Sequence, residues 1–193
     1  MTPEQIAHLV RAAAPTVGPV RLVCIDGPAG SGKTTLAAAV ADALSGPVGD
    51  VAVVHGDDLY EGWAVVSGSS DRVEAFDALT DRVIGWLLDP WRREAAGRHP
   101  VWDWAADAWG GWVAVDPRAV VVLEGVSMAS RRLREHAALS VWVEVDPALG
   151  VERVVQRDGE GLRAEIERWQ LDEARWHALD GTRKGADLRM RGD

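Results

Sequence analysis

Short apolar runs alternate with longer amphipathic segments along most of the chain. The apolar runs are too short for helices and are typical of strands; they cover residues 20–26, 51–55, 120–123, 139–145 and, more weakly, 186–190. Apolar residues recur at helical spacing in residues 3–14, 33–44, 71–88, 129–137, 147–157 and 162–179. Strands that alternate with helices form a parallel sheet covered on both faces. The pattern therefore predicts an α/β fold, a doubly wound five-stranded parallel sheet that binds its ligands at the carboxyl ends of the strands.

Length and composition indicate one domain that acts on a small molecule. The 193 residues fit a single domain over residues 1–193, in which residues 1–18 form a peripheral N-terminal helix. The net charge of −9 has the wrong sign for a protein that binds nucleic acid. No apolar stretch reaches the ~18 residues of a membrane span, and the single cysteine, Cys24, excludes a disulfide framework. We therefore expect a cytoplasmic protein that binds neither nucleic acid nor membrane, and the sequence leaves open whether it forms a homo-oligomer.

The strongest chemical signal is a glycine-rich motif between the first strand and the helix that follows it. Residues 27–34 read GPAGSGKT, which satisfies the P-loop (Walker A) pattern G-x-x-x-x-G-K-[ST] in the strand-to-helix setting that it requires. The glycines let successive N–H groups face a phosphate, and the start of the helix adds a positive dipole. We predict that Lys33 contacts the β- and γ-phosphates and that Thr34 binds Mg²⁺. The predicted nucleotide-binding residues are Gly27, Pro28, Ala29, Gly30, Ser31, Gly32, Lys33, Thr34 and Thr35.

Composition and chain length narrow the class of nucleotide-binding protein. A GTPase reads its base with an N-K-x-D segment, and this chain contains no asparagine. Motors, helicases and transporter ATPases normally need a longer chain with further domains. The length therefore favours a small-molecule kinase. A nucleotide-responsive binding or regulatory module, without phosphoryl transfer, is the alternative from another class.

Four further segments resemble, in the same order, motifs of the uridine kinase and phosphoribulokinase-like family of P-loop kinases. They read VVHGDDLY at 53–60, HPVWDW at 99–104, VVVLEGV at 120–126 and ERVVQRD at 152–158. The resemblance extends from about residue 20 almost to the C-terminus. It implies a P-loop kinase fold with an arginine-rich lid, whose tip spans residues 157–163. It also implies ATP- and Mg²⁺-dependent transfer of a phosphoryl group to a hydroxyl group of a nucleoside.

The resemblance assigns roles to acidic residues outside the P-loop. Asp57, directly after the second strand, is implied to be the catalytic base, with Asp58 as the runner-up. A carboxylate at that strand end can accept the proton of an acceptor hydroxyl and can also face Mg²⁺. Glu124 ends the third strand and is implied to hold Mg²⁺ together with Thr34 and Asp57.

The same resemblance places an arginine clamp over the phosphates. Arg153 and Arg157 are four residues apart, so both guanidinium groups lie on one face of a helix. There they can bind the phosphoryl group during transfer, and the nearby glycines let the lid hinge. The predicted catalytic residues are therefore Asp57, Lys33, Arg153 and Arg157.

The acceptor site matches the family less well than the phosphate site. Tryptophan stands on both sides of Asp103, where the family has tyrosine and phenylalanine, and residues 62–70 have no clear counterpart. The tryptophans crowded into residues 102–112 are compatible with a substrate wall and equally with a hydrophobic core. The acceptor is accordingly a nucleoside, an antibiotic or another metabolite with a hydroxyl group. The candidate acceptor-binding residues are Asp58, Tyr60, Trp63, Trp102, Asp103 and Arg163.

Overall fold

The computed structural model describes residues 1–46, 51–62 and 72–192 of the chain. Its strands are β1 (Arg21–Asp26), β2 (Val51–His55), β3 (Gly97–Asp103), β4 (Ala108–Val115), β5 (Val120–Glu124), β6 (Leu139–Glu144) and β7 (Leu188–Arg191). Its α-helices are α1 (Pro3–Ala12), α2 (Lys33–Leu44), α3 (Arg72–Val83), α4 (Asp89–Arg92), α5 (Arg131–Arg134), α6 (Pro147–Asp158), α7 (Arg163–Asp180) and α8 (Thr182–Gly185). Single 3₁₀ turns cover Gly56–Leu59 and Glu160–Leu162, and a π-helical turn covers Ile84–Leu88. None of the described helices is both long and apolar enough to cross a membrane.

A five-stranded parallel sheet forms the centre of the fold, in the spatial order β2-β5-β1-β6-β7. β1 lies between β5 and β6, with Ile25 opposite Glu124 on one side and opposite Val141 on the other. All of β5 is buried because both faces of the sheet are covered, which explains its uninterrupted apolar run. All five predicted strands are present, and the predicted α/β fold is confirmed. The carboxyl ends of β1, β2 and β5 meet at one edge of the sheet, where such folds bind ligands.

Alternate residues of β1 pack into two separate cores, one on each face of the sheet. Leu22 and Cys24 belong to the core that contains α3, whereas Val23 and Ile25 belong to the core that contains α1 and α2. Burial raises the pKa of the Cys24 thiol, so this cysteine is an inert core residue. The strand that leads into the P-loop is thus held on both faces.

The N-terminal helix α1 is a full member of the second core. A capping box starts it, in which the Gln5 N–H donates to Thr2 Oγ1 at 3.3 Å and the Thr2 N–H donates to Gln5 Oε1 at 2.9 Å. Ile6, Ala7 and Val10 are completely buried in the same cluster as the apolar face of α2. The helix predicted as peripheral therefore contributes three side chains to the core.

An antiparallel hairpin, β3 and β4, is an element that the hydrophobic pattern does not predict. β3 contains a proline and β4 contains two glycines, and the pairing shifts register between Pro100 and Trp102. These features break the alternation that is typical of a strand. Asp103 shapes the connecting turn, because its Oδ1 accepts the N–H groups of Ala105 and Ala106 at 3.0 Å.

We expect truncation of a side chain in β5 to destabilise the domain. Leu123 is fully buried, so Leu123→Ala leaves a cavity and lowers the free energy of unfolding by about 2–5 kcal/mol. Urea denaturation followed by circular dichroism measures the change. Leu171→Ala on α7 is the control, since that side chain is 73% exposed and its loss changes the free energy by less than about 0.5 kcal/mol. Equal losses in the two variants would contradict the assigned core.

Candidate active site

A cavity of about 750 Å³ lies at the carboxyl edge of the sheet. Its volume is in the range of sites that bind drug-sized or cofactor-sized molecules. The P-loop, the 3₁₀ turn after β2, the end of β5, α6 and α7 all contribute to its wall. The lining side chains and glycines of chemical interest are Ala29, Gly30, Gly32, Lys33, Thr34, Thr35, Asp57, Asp58, Tyr60, Trp104, Glu124, Arg153, Arg157 and Trp169. The cavity thus brings together residues that the sequence separates by more than a hundred positions.

At Gly27 and Gly30, the backbone of the P-loop packs too closely against its neighbours for any side chain. A Cβ atom on Gly27 would lie 2.3 Å from the carbonyl oxygen of Val143, and one on Gly30 would lie 2.4 Å from that of Gly150. Gly30 and Gly32 also have φ angles of +75° and +88°, which favour glycine. α2 begins directly after Gly32, and no side chain of the described residues caps it. The first N–H groups of α2 and the positive end of its dipole are therefore available to an anion.

Lys33 and Thr34 stand at the start of α2, where a bound triphosphate would meet them. The Lys33 Nζ donates to the carbonyl oxygen of Pro28 at 2.9 Å, so the ammonium lies against the P-loop itself. The Thr34 Oγ1 donates to both carboxylate oxygens of Glu124 at 3.2 Å. His55 Nδ1 lies 2.6 Å from Glu124 Oε1, because the parallel register of β2 and β5 places the two residues side by side. Sequence analysis assigned no role to His55.

The oxygen donors of the cavity fit a magnesium ion. Glu124, Thr34 and Asp57 line it and offer the carboxylate and hydroxyl oxygens that Mg²⁺ prefers. The described residues contain no cluster of three or more His, Cys, Asp or Glu side chains that could hold a metal by themselves. The donor set therefore suits an ion that takes further ligands from phosphate oxygens and water, as Mg²⁺ does in phosphate-binding sites.

The two predicted clamp arginines line the cavity, whereas the third predicted arginine does not. One guanidinium nitrogen of Arg153 donates to the carbonyl oxygen of Gly30 at 3.3 Å, so this side chain reaches the P-loop. Arg157 pairs with Asp158, at N to O distances of 2.6 and 2.7 Å. Arg163, predicted to bind the acceptor, pairs instead with Glu152 and Glu160 and does not line the cavity.

Aromatic side chains form another part of the cavity wall. Trp104, in the turn of the β3–β4 hairpin, is 40% exposed, and its Nε1–H donates to the backbone oxygen of Asp57 at 3.2 Å. Trp169 of α7 meets Tyr60 edge to face, with 5.4 Å between ring centroids. The Tyr60 hydroxyl donates to the carbonyl oxygen of Val126 at 2.8 Å, and burial raises the pKa of Tyr60 well above its usual value. Tyr60 therefore lines the cavity while its hydroxyl is used within the protein.

Two other predicted acceptor-binding residues serve the hairpin instead of the cavity. Trp102 packs edge to face on Trp109, with 5.2 Å between ring centroids, and Asp103 organises the turn. Trp63 lies outside the described residues. The tryptophans of residues 102–112 thus have different roles. Trp104 lines the cavity, as expected of a substrate wall, whereas its neighbours pack on one another or on Trp86, as expected of a hydrophobic cluster.

A buried polar network beside the P-loop has no counterpart in the sequence predictions. Asp26, at the end of β1, accepts the backbone N–H groups of three residues, Gly27 at 2.7 Å, Ser127 at 3.2 Å and Ala129 at 2.9 Å. His177 Nε2 lies 3.1 Å from Asp26 Oδ1. One turn earlier on α7, Glu173 accepts the Ala29 N–H with both carboxylate oxygens, at 3.0 and 3.1 Å. Burial raises the pKa of Glu173 to about 7.

Two features of the sequence could have pointed to this network. Glu173 and His177 are four residues apart, so they share one face of α7, and both are buried. The apolar spacing of α7 is weak, which hides the burial of that face from a hydrophobic pattern. Asp26 directly precedes the P-loop, and this position could have marked it as a residue that contacts the loop.

Comparison with known proteins gives similarity at the level of structure. No protein-family model matches the chain, and no match was found among curated protein sequences. A solved structure described as a possible uridine kinase from Bacillus stearothermophilus superposes with a TM-score of 0.73 at 19% identity, over 97% of this chain and 96% of that one. A provisionally assigned fructose transport system kinase from Silicibacter sp. TM1040 superposes with a TM-score of 0.70 at 26% identity, over 98% of each chain.

Both neighbours support the resemblance that the motifs imply. The superpositions cover nearly the whole length of each chain. The chain therefore has the P-loop kinase fold of the uridine kinase-like proteins, as its motifs predict.

Proposed function

We propose that this protein is an ATP- and Mg²⁺-dependent kinase that transfers the γ-phosphoryl group to a hydroxyl group of a small molecule, with a nucleoside as the leading acceptor. The observation that carries the proposal is the content of one cavity. It combines a P-loop with its lysine, a hydroxyl and carboxylate pair suited to Mg²⁺, and the separate carboxylate of Asp57. Asp57 can also face Mg²⁺, but only phosphoryl transfer needs a carboxylate that accepts the proton of an acceptor hydroxyl.

Positioning and neutralisation of charge account for the chemistry in this proposal. The P-loop N–H groups and Lys33 hold the triphosphate, and Thr34 and Glu124 hold the metal. Mg²⁺, when bound, offsets the charge of the β- and γ-phosphates. Asp57 accepts the proton of the acceptor hydroxyl, whose oxygen forms a bond to the γ-phosphorus as the bond to the β-phosphate oxygen breaks.

The arginines of α6 are placed to stabilise the phosphoryl group in transit. Arg153 already contacts the P-loop at Gly30. Arg157 has only to exchange Asp158 for the phosphoryl group, and its side chain is 67% exposed in that pair. An exposed ion pair contributes on the order of 1 kcal/mol or less, so this exchange costs little.

The shape and chemistry of the wall support an acceptor with a flat ring. Trp104 and Trp169 present indole surface next to the loop that carries Asp57. Such surface can stack on a nucleobase, which favours a nucleoside. A sugar is the second candidate, because the Silicibacter neighbour is described as a kinase of a fructose transport system. The hydroxyl of an antibiotic or other metabolite is a third. Each of these acceptors would use the same phosphate-binding residues.

Charge and composition support the expected partners and location. The net charge of −9 disfavours a nucleic-acid partner, and the buried, unpaired Cys24 suits a reducing cytoplasm. We therefore place the protein in the cytoplasm, with small molecules as its partners.

We expect Asp57→Asn to abolish phosphoryl transfer while nucleotide binding persists. Loss of the base lowers kcat by about 10²–10⁴-fold, because the amide cannot accept the proton. The assay is consumption of ATP in the presence of pooled nucleosides and pooled sugars, with binding of ATP and Mg²⁺ measured by calorimetry. Asp58→Asn is the matched control, since the neighbouring carboxylate lines the same cavity and the same charge is removed.

The two variants also separate the competing hypotheses. A large loss of kcat in Asp58→Asn, with Asp57→Asn close to normal, would transfer the role of base to Asp58. Nucleotide binding by the unaltered protein without phosphorylation of any acceptor would favour the regulatory-module alternative.

We expect Tyr60→Phe to affect stability more than recognition of the acceptor. The change leaves the buried Val126 carbonyl oxygen without its donor and lowers the free energy of unfolding by about 0.5–1.5 kcal/mol. The KM for the acceptor stays within about twofold, because the ring surface is retained. Urea denaturation and steady-state kinetics measure the two quantities. Unchanged stability with a KM raised tenfold would instead show that the hydroxyl binds the acceptor.

A further inference from the structure

Glu173 is a buried acidic residue for which the proposed mechanism has no use. It is 1% exposed, and it does not line the cavity, whereas its partner Ala29 does. Both of its oxygens accept the Ala29 N–H, so a carboxylate from α7 holds the third residue of the P-loop. A buried carboxylate normally needs several donors or a close cation to remain ionised. Glu173 shares a single N–H between its two oxygens.

The charged and titratable groups around Glu173 come from four elements. Lys33 of α2 and His177 of α7 favour its ionised form, and Asp26 of β1 opposes it. Tyr60, in the loop after β2, is close enough to feel its charge and donates its own proton to a carbonyl oxygen. Lys33 is thus the cation that most favours the carboxylate, and the proposed function directs that ammonium to the phosphates.

We propose that Glu173 is a positioning residue for the P-loop, and that it takes up a proton when a nucleoside triphosphate binds. This inference rests on the proposed function, because it requires a triphosphate in the P-loop. When the triphosphate binds, negative charge enters the loop and Lys33 turns toward the phosphates. Both changes disfavour a carboxylate at Glu173. The protonated carboxyl still accepts the Ala29 N–H through its carbonyl oxygen, so the loop remains held.

The direction of the pH dependence follows from these contacts. The pKa of Glu173 is about 7 in the chain alone, so the carboxyl is largely ionised at pH 8. Bound phosphates raise this pKa further, so binding at pH 8 is accompanied by proton uptake. Affinity for the triphosphate is therefore full below pH 7 and declines as the pH rises above 7, by at most about tenfold per pH unit.

The variant that tests this inference is Glu173→Gln, because its amide oxygen still accepts the Ala29 N–H but does not titrate. Calorimetry of ATP binding with excess Mg²⁺ at pH 8, in two buffers of different ionisation enthalpy, counts the protons exchanged. We expect the unaltered protein to take up about half a proton or more, relative to Glu173→Gln. The proton chemistry of ATP itself cancels in this difference, since it is common to both proteins. Glu167→Gln is the control, because this exposed residue of α7 carries the same charge.

A second variant isolates the positioning role. Glu173→Ala removes the acceptor of the Ala29 N–H and is expected to weaken ATP binding by about tenfold at pH 6.5, whereas Glu173→Gln binds within about twofold of the unaltered protein. Circular dichroism and urea denaturation establish that each variant is folded at the temperature of the binding experiment. Near-normal ATP binding by Glu173→Gln together with weak binding by Glu173→Ala would show that the hydrogen bond to the Ala29 N–H positions the loop.

The possible outcomes separate failure of the proton uptake, of the positioning role and of the proposed function. Equal proton uptake by the unaltered protein and Glu173→Gln would overturn the inference, because Glu173 would then take up no proton on binding. Equal weakening by alanine and glutamine would overturn the positioning role. No binding of ATP by the unaltered protein would overturn the proposed function and this inference with it, whereas binding without a difference between the variants would overturn the inference alone.

Discussion

The turn that follows β1 has no room for a side chain at Gly27 or Gly30, and the rest of the site depends on that constraint. Gly27 approaches the backbone of β6, and Gly30 approaches the backbone of α6, at distances that a Cβ atom could not occupy. The close approach draws the start of α2 to the carboxyl edge of the sheet, where the ends of β2 and β5 also lie. The groups proposed to bind phosphate and metal and the proposed base therefore lie at the same edge of the sheet.

Buried carboxylates hold the same turn from the side of the sheet. Asp26 collects backbone N–H groups from the P-loop and from the loop after β5, so it joins the two loops that face the cavity. Glu173 adds α7 to this assembly through Ala29. Such carboxylates are costly to bury unless they are hydrogen-bonded, and here the donors are backbone groups that would otherwise be unpaired. Acidic side chains thus hold in place a loop whose proposed ligand is itself negatively charged.

The sequence predicts the elements whose signal is local and misses those that depend on contacts between distant parts. The inner strands β1, β5 and β6 are largely buried and appear as apolar runs, and the P-loop is a contiguous motif, so both are predictable. The edge strand β7 is only partly buried, and its signal in the sequence is correspondingly weaker. The β3–β4 hairpin carries proline, glycine and a register shift, which remove its periodicity. The network of Asp26, Glu173 and His177 exists only when α7 is packed on β1. For the same reason, Trp169 lines the cavity without being part of any motif, and Arg163 was predicted to face it although two glutamates hold it elsewhere.

The hydrogen bond from Trp104 to the backbone of Asp57 couples two parts of the chain that could otherwise evolve separately. One part is the sheet edge, which carries the residues proposed to bind the phosphates. The other is a two-stranded excursion attached to it, whose tip supplies an aromatic surface of the pocket. Because the tip is fastened to the main chain of residue 57 and not to its carboxylate, changes in hairpin length or composition can retune selectivity while leaving the proton acceptor intact. Under the proposed function, a single scaffold can in this way accept chemically different alcohols.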